Sequence, residues 1–473
     1  MPEGGRGNRR GFPRAGGRGR SAPETRRQGD KETRRQGDKE TRRQGDKETR
    51  RQGDRSRARQ EQQAGGRGGG APRRSRAAQN ALYYWPTALT KTMTRSAPMR
   101  ILTIDVGTGT QDILLFDSDG PVENGAQLVM PAPTQIVAQQ VREATAARRP
   151  IVLTGATMGG GPCHWAVEDH LRAGLPAYAT ADAARTFNDD LDWVEREMGL
   201  IVVSPDEVRH MQKTRKITMG DLDLGAIHAA LAAFGVVGPG GARPYDALAV
   251  AVFDHGNAPP DVSDRVFRFN YLAERFSTGG GLLALGFRRL EVPREMTRLR
   301  AVAIATPHDM PAVLMDTAPA AVLGALDDPR LAEQDDLLVA NVGNFHCLAF
   351  HLVGGQIAGC FEHHTGELTA PQLVGLLERL GAGTISNQEV FDSKGHGALV
   401  LRPTPDARPF LAVSGPRRSM LRGAALRMGD AEIRPYFAVP HGDMMLAGCF
   451  GLLRAFAASY PEAAEEIEAA LAG

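Results

Sequence analysis

The sequence predicts two related α/β domains that face one another, preceded by a disordered, basic, low-complexity tail. Three observations predict it. A strand, a Gly-containing turn and a second strand open the body at residues 100–117, and the same unit recurs at residues 335–352. Around these units strand and helix signals alternate, the pattern of a covered, mixed sheet. Positive charge, by contrast, is concentrated at one end of the chain.

Residues 1–98 hold 26 Lys and Arg against 10 Asp and Glu, whereas the rest holds 31 against 45. The near-neutral total thus conceals a basic tail and an acidic body. An octad, Glu-Thr-Arg-Arg-Gln-Gly-Asp-Lys, begins at Glu24, Glu32, Glu40 and Glu48 and breaks off after Asp54. So few apolar residues cannot offset an ordering cost of about 1–2 kcal/mol per residue, and disorder is expected. Two readings of the tail stay open. The near-perfect repeat favours a segment translated from upstream of a start at Met93 or Met99; an RGG-like segment that holds nucleic acid or another polyanion is the other. The body has no run of the roughly 20 apolar residues a membrane helix needs, so a cytoplasmic protein without membrane contact is expected. Its cysteines, Cys163, Cys347, Cys360 and Cys449, lack zinc-ribbon spacing and read as free thiols.

Residues 100–117 (RILTIDVGTGTQDILLFD) read as a hairpin whose turn glycines are expected at positive φ, leaving amides free. Residues 134–148 have helical character. A strand over 150–154 leads through a glycine-rich link into a helix over 163–173. Strand 200–204, helix 222–234 and strand 246–253 complete the sheet of a first domain, placed at 99–330. The second domain, 331–440, opens with residues 335–352 (DDLLVANVGNFHCLAFHL) and crosses the Gly354-Gly355 turn into strand 356–361. Helix 371–380 and strand 410–413 follow, and residues 443–471 read as a helical ending.

Five segments, in order, resemble signatures of the actin-like ATPase superfamily of acetate and sugar kinases, heat-shock chaperones and actin, whose paired domains are ribonuclease H-like. Asp105, Gly107, Thr108, Gly109 and Thr110 resemble its first phosphate loop. A tight hairpin of small residues brings amides and hydroxyls against phosphate oxygens, and a carboxylate can hold hydrated magnesium, so Asp105 is the expected metal residue. Residues 316–327 (DTAPAAVLGALD) look like the first connecting helix, where the match has Asp316 orient an attacking water; the small residues equally suit a close helix crossing. Asn341, Gly343 and Asn344 take the place of the second phosphate loop. The superfamily usually has an acidic residue where Asn341 stands, and an amide can neither supply charge nor act as a base. Residues 411–420 (LAVSGPRRSM) are similar to the adenosine motif, with Ser414, Gly415 and Arg417 in its positions. Residues 440–456 resemble the second connecting helix, with Asp443 near its N-cap and Gly448 and Gly451 on one face; the segment 441–473 is expected at the domain interface. ATP and Mg2+ are the cofactors this resemblance implies.

More narrowly, the body resembles a family labelled as pyruvate formate-lyase activating-related. A radical activator of that kind needs three cysteines clustered as CxxxCxxC around an iron–sulfur cluster, and the four cysteines here are scattered.

Other constellations have two readings each. Gly159-Gly160-Gly161, between a strand and a helix, can present amides to an anion or make a tight turn. Asp254, at a strand end, is a candidate general base, as are Asp221 and Asp223. Histidines gather at His255, His346, His351, His363, His364, His396 and His441, but their spacing does not encode a metal site: His363 and His364, adjacent on a strand, point to opposite faces. Glu362, Thr365 and Glu367 can face the cleft or serve the next helix. The combined expectation is an Mg-ATP-binding protein, a small-metabolite kinase or ATPase with Asp254 and Asp316 as catalytic candidates. The alternatives are a nucleotide-gated regulator of a protein partner and an inactive scaffold whose tail carries the biology.

Overall fold

The computed structural model describes residues 98–259 and 262–472; the expected tail and its octad repeat, up to residue 97, lie outside them. The chain opens with β1 (Arg100–Val106), β2 (Thr110–Asp117) and β3 (Ala126–Pro131). Next come α1 (Pro133–Ala146), β4 (Ile151–Gly155), α2 (Pro162–Arg172), β5 (Ala177–Ala179), β6 (Ile201–Val202), β7 (Arg215–Met219), α3 (Leu224–Ala233) and β8 (Ala247–Val252). Then α4 (Asp264–Ser277), β9 (Gly286–Arg288), α5 (Thr297–Ala305), β10 (Ala312–Asp316) and α6 (Thr317–Ala325) lead to β11 (Asp336–Val342). The second half continues with β12 (His346–Val353), β13 (Gln356–His364), α7 (Ala370–Gly381), β14 (Gly397–Val400) and β15 (Phe410–Ser414). After the hairpin of β16 (Leu426–Met428) and β17 (Ala431–Ile433), it ends in β18 (Tyr436–Phe437), α8 (Ala447–Ser459) and α9 (Ala464–Ala472).

Two large sheets repeat one plan. The first runs β3-β2-β1-β8-β10-β9 and the second β14-β13-β12-β11-β15-β18. In each, three successive strands form an antiparallel meander, and the first strand of the meander then pairs in parallel with a later strand, which pairs in parallel with another. This duplicated order is that of two facing actin-like domains, as the resemblance implies.

The alternation of side chains along the strands positions the site. On β1 and β8, Leu102, Ile104, Leu248 and Val250 enter a core on the outer face of the first sheet, packed by α5. Ile101, Ala247, Ala249 and Ala251 face the other way, into a core that also holds Val339 and Phe350 of the second sheet and Leu453 and Phe456 of α8. Both sheets therefore share one inner core, threaded by α6 and α8. Those helices cross at backbone contact: a Cβ on Gly324 would lie 1.8 Å from the Ala447 carbonyl oxygen, and one on Gly451 would lie 1.9 Å from that of Ala320.

Several local expectations are corrected. The strands near residues 150 and 200 do not join the first sheet. They build a separate parallel sheet, β6-β5-β4-β7, inserted between β3 and β8, because alternating strand and helix signals reveal the period but not the partner. The strand expected at 200–204 shrinks to β6, and the helical ending is broken at Tyr460, where φ is −126°. Gly107 and Gly109 do not take positive φ. Among the described residues no helix is long and apolar enough to cross a membrane.

Candidate functional site: a carboxylate-lined cleft

Asp105 lies near the end of β1 on the inner face, and the antiparallel register sets Asp112 of β2 directly across from it. Both are buried. Burial, together with the like charge of Asp316, raises the Asp105 carboxyl to about 7 against an opposing hydrogen bond from Thr317. Burial, and then the charge of Asp105, raises Asp112 to about 8. The hydroxyl of Thr317, at the start of α6, donates to Asp105 Oδ1. Oδ1 of Asp112 is buried without a hydrogen-bond partner. A Cβ on Gly448, in the first turn of α8, would lie 1.9 Å from Asp105 Oδ2, so only glycine lets the helix N-terminus rest against this carboxylate.

The two sheets present matching turns to this point. Gly107 N–H donates to the Thr110 carbonyl at 2.9 Å, and Gly343 N–H donates to that of His346 at 2.9 Å. They nearly touch across the cleft, for a Cβ on Gly109 would lie 2.2 Å from Nδ2 of Asn344. That close approach, not positive φ, explains the glycine. Asn341 faces inward on β11 as Asp105 does on β1, and pairs in register with Ser414 of β15. Gly415 follows at φ +92°; a Cβ there would lie 2.5 Å from Asn341 Oδ1, so its role is to fold the chain onto β11. The hydroxyl oxygen of Ser414 is buried without a partner and lines the cleft.

The cleft thus gathers Asp105, Gly107, Thr108, Thr110, Asn341, Gly343, Asn344, Ser414 and Gly415 around one opening. Gly109 closes its edge. Arg417 does not line it; its N–H donates to the Val342 carbonyl. Asp316 does not line it either. Its carboxylate caps α6 through Ala318 N–H and pairs with Arg268 at 2.8 Å, so both oxygens are engaged. Asp443 is not the N-cap of α8, a place Leu446 holds; it accepts from Met445 N–H instead.

A second compartment adjoins the first, sharing Thr108, Phe253, Arg298 and His346 with it. Gly159, Gly160 and Gly161 form one wall, and Asp254 and His255, just after β8, form another. Asp254 accepts from Gly256 N–H at 2.9 Å and Leu299 N–H at 2.8 Å, and burial raises its carboxyl to about 6. Asp221 is buried in an ion pair with Arg298 at 2.6 Å and accepts from Gly159 N–H, holding the glycine wall in place. Asp223 caps α3. Neither is a free base. Sequence reasoning missed Asp112, although Asp105 and Asp112 stand symmetrically about the Thr108-Gly109 turn and a hairpin must place them opposite. It also missed Arg268 and Arg298, whose partners are distant in sequence.

No curated protein matches. Among solved structures, the inorganic polyphosphate/ATP-glucomannokinase from Arthrobacter sp. strain KM is similar over 77% of this chain and 100% of its own, at 12% identity and TM-score 0.32. The ROK hexokinase from Thermus thermophilus aligns over 76% and 98%, at 11% identity and TM-score 0.25. The ethanolamine utilization protein EutJ from Carboxydothermus hydrogenoformans aligns over 76% and 90%, at 10% identity and TM-score 0.25. Likeness at this level speaks neither to activity nor to substrate, and the fold stands on the strand order above. The activity in the family's description finds no cysteine cluster here: all four cysteines are buried, Cys347 and Cys360 in different cores, Cys163 in the inserted unit and Cys449 on α8. Residues 158–420, more than half of the chain, match the family described as "Putative pyruvate format-lyase activating enzyme (DUF1786)", and the chain belongs to that family.

Proposed function

We propose that the cleft binds a nucleoside triphosphate, ATP, as its magnesium complex. The observation that carries this reading is the pair Asp105 and Asp112, two buried carboxylates directly opposite one another on one strand pair. Like charges so placed destabilise a sheet. One oxygen of Asp112 has no partner and a hydroxyl, not a cation, answers Asp105, so the donor set fits a hydrated hard cation. When bound, magnesium would neutralise charge on the phosphates.

The chain's own groups supply the rest of the site. With the Gly107 and Gly343 N–H groups tied within their turns, the amides of Thr108, Gly109 and Asn344 and the hydroxyls of Thr108 and Thr110 would meet phosphate oxygens from both sheets, and Ser414 and Gly415 would border the nucleoside end. Asp254, which lines the adjoining compartment with a carboxyl raised to about 6, would take a proton from an acceptor hydroxyl in place of one of its backbone hydrogen bonds, and Arg298, lining the same compartment, would hold negative charge. The favoured activity is transfer of the terminal phosphoryl group to a small hydroxyl-bearing metabolite. Two observations favour a second reading, a nucleotide-gated regulator with little turnover: the inner face of β11 carries neutral Asn341, and Asp316 is engaged by Arg268.

The test is calorimetric titration of Asp105→Asn and Asp112→Asn with ATP. Both are expected to lose the dependence of affinity on magnesium; unchanged dependence in both would remove the carboxylate pair from the account.

A further inference from the structure

The inner faces of the two sheets also bring together side chains that the nucleotide reading does not use. His255 follows β8 in the first half of the fold. His346 begins β12, Glu362 lies on β13, and His396 immediately precedes β14. The register pairs His346 with His364 and Leu348 with Glu362, so His346 and Glu362 project from the same face of the second sheet. Gly397 pairs with Glu362, which brings His396 alongside, and His396 Nδ1 contacts Glu362 Oε1. The ring of His396 lies 4.9 Å from those of both His255 and His346. One donor atom from each of the four side chains lies within 4.8 Å of the other three.

Three further observations bear on the cluster. First, Nε2 of His346 is buried without a hydrogen-bond partner, which is costly unless something else fills its lone pair or takes its proton. Second, one guanidinium answers two carboxylates: Arg268 bonds Glu362 at 2.7 Å and Asp316 at 2.8 Å, so Glu362 does not have a cation of its own. Third, the surroundings have the form of an outer shell. Arg268 fixes the far oxygen of Glu362, Phe253 stacks on His346 at 4.3 Å, and the Arg268 guanidinium lies over the Phe253 ring at 4.1 Å.

We infer that His255, His346, Glu362 and His396 bind one divalent transition ion of the zinc class, which ties the two halves of the fold together at the floor of the cleft. Three imidazoles and a carboxylate suit such an ion, and not magnesium, which prefers oxygen donors. Bonds of about 2.1 Å in a tetrahedral shell put donor atoms about 3.4 Å apart, within reach of small rotations of the side chains. Because one ligand comes from the first sheet and three from the second, occupancy would restrain opening between them. His346 lines both compartments and His255 the second, so the ion would sit in the wall they share.

The full chain, stripped with a chelator, is titrated with Zn2+ by calorimetry and with Co2+ by visible absorption; nucleotide is absent, so the outcome is independent of the nucleotide reading. One equivalent of Zn2+ is expected, displacing Co2+ from a site with the intense visible bands of tetrahedral coordination. His255→Asn and His396→Asn are each expected to weaken binding by about 100-fold or more. Exposed His210→Asn is expected to leave it unchanged. Zinc is also expected to raise the unfolding temperature of the natural chain, a reading that does not depend on the variants folding. Absence of zinc binding up to millimolar concentration, an octahedral Co2+ spectrum, or full binding by folded His255→Asn would each overturn the inference.

Discussion

Gly448 of α8 presses against the carboxylate of Asp105 so closely that a Cβ would lie 1.9 Å from Oδ2. Helix α8 thereby forms one wall of a site whose other walls come from the β1–β2 hairpin and the second sheet. Gly448→Ala must push the helix or the carboxylate aside. It is expected to destabilise the protein by about 1–3 kcal/mol, measured by denaturant unfolding, and to weaken nucleotide binding at the same time.

The facing carboxylates give the stability of the metal-free protein a definite pH dependence. Asp105 and Asp112 are raised in the folded state to about 7 and about 8 from 3.8, so folding takes up protons between those values. Their contribution is complete below pH 4 and is lost as pH rises through 7 to 8. Asp112→Asn should flatten that decline in chelator, and magnesium should flatten it in the natural chain. Thermal unfolding across pH 6 to 9, with and without magnesium, checks both.

Arg268 is buried between Asp316 and Glu362. Arg268→Met leaves two buried carboxylates without their cation and is expected to cost about 3–5 kcal/mol in chemical unfolding. The cost should shrink in Arg268→Met combined with Glu362→Gln, because one of the stranded charges is then removed.

Asp254→Asn separates the kinase reading from the regulator reading. Asp254 does not line the compartment that holds Asp105, so nucleotide affinity should hold within a few-fold. Turnover, followed by ADP release, should fall by about 100-fold or more if Asp254 takes the acceptor's proton. Equal turnover in the two proteins would favour the regulator.

The parts of this architecture legible in the sequence are those encoded over short spans. The hairpins of residues 100–117 and 335–352 declared themselves through apolar strands around Gly and Asn turns, and their recurrence pointed to paired sheets. The crossing of α6 and α8 was legible in the small residues around Gly324 and Gly451. What stayed hidden is set by pairing between distant segments. The inserted parallel sheet carries the same alternation as the main one, so nothing local separates them. Arg268 meets Glu362 across 94 positions, and Arg298 meets Asp221 across 77. The convergence of His255, His346 and His396 depends on both sheets packing on the same two helices, which no local spacing records. The turn glycine Gly109 serves close approach to Asn344 and does not adopt the positive φ expected of it.

The most direct test of the central claim is calorimetric titration of the full chain with ATP, in magnesium and again in chelator. The account predicts a single site of micromolar or tighter affinity in magnesium, weakened at least about 10-fold without it, roughly 1.4 kcal/mol. No heat of binding up to millimolar Mg-ATP, under conditions where the protein is shown to be folded, would contradict it.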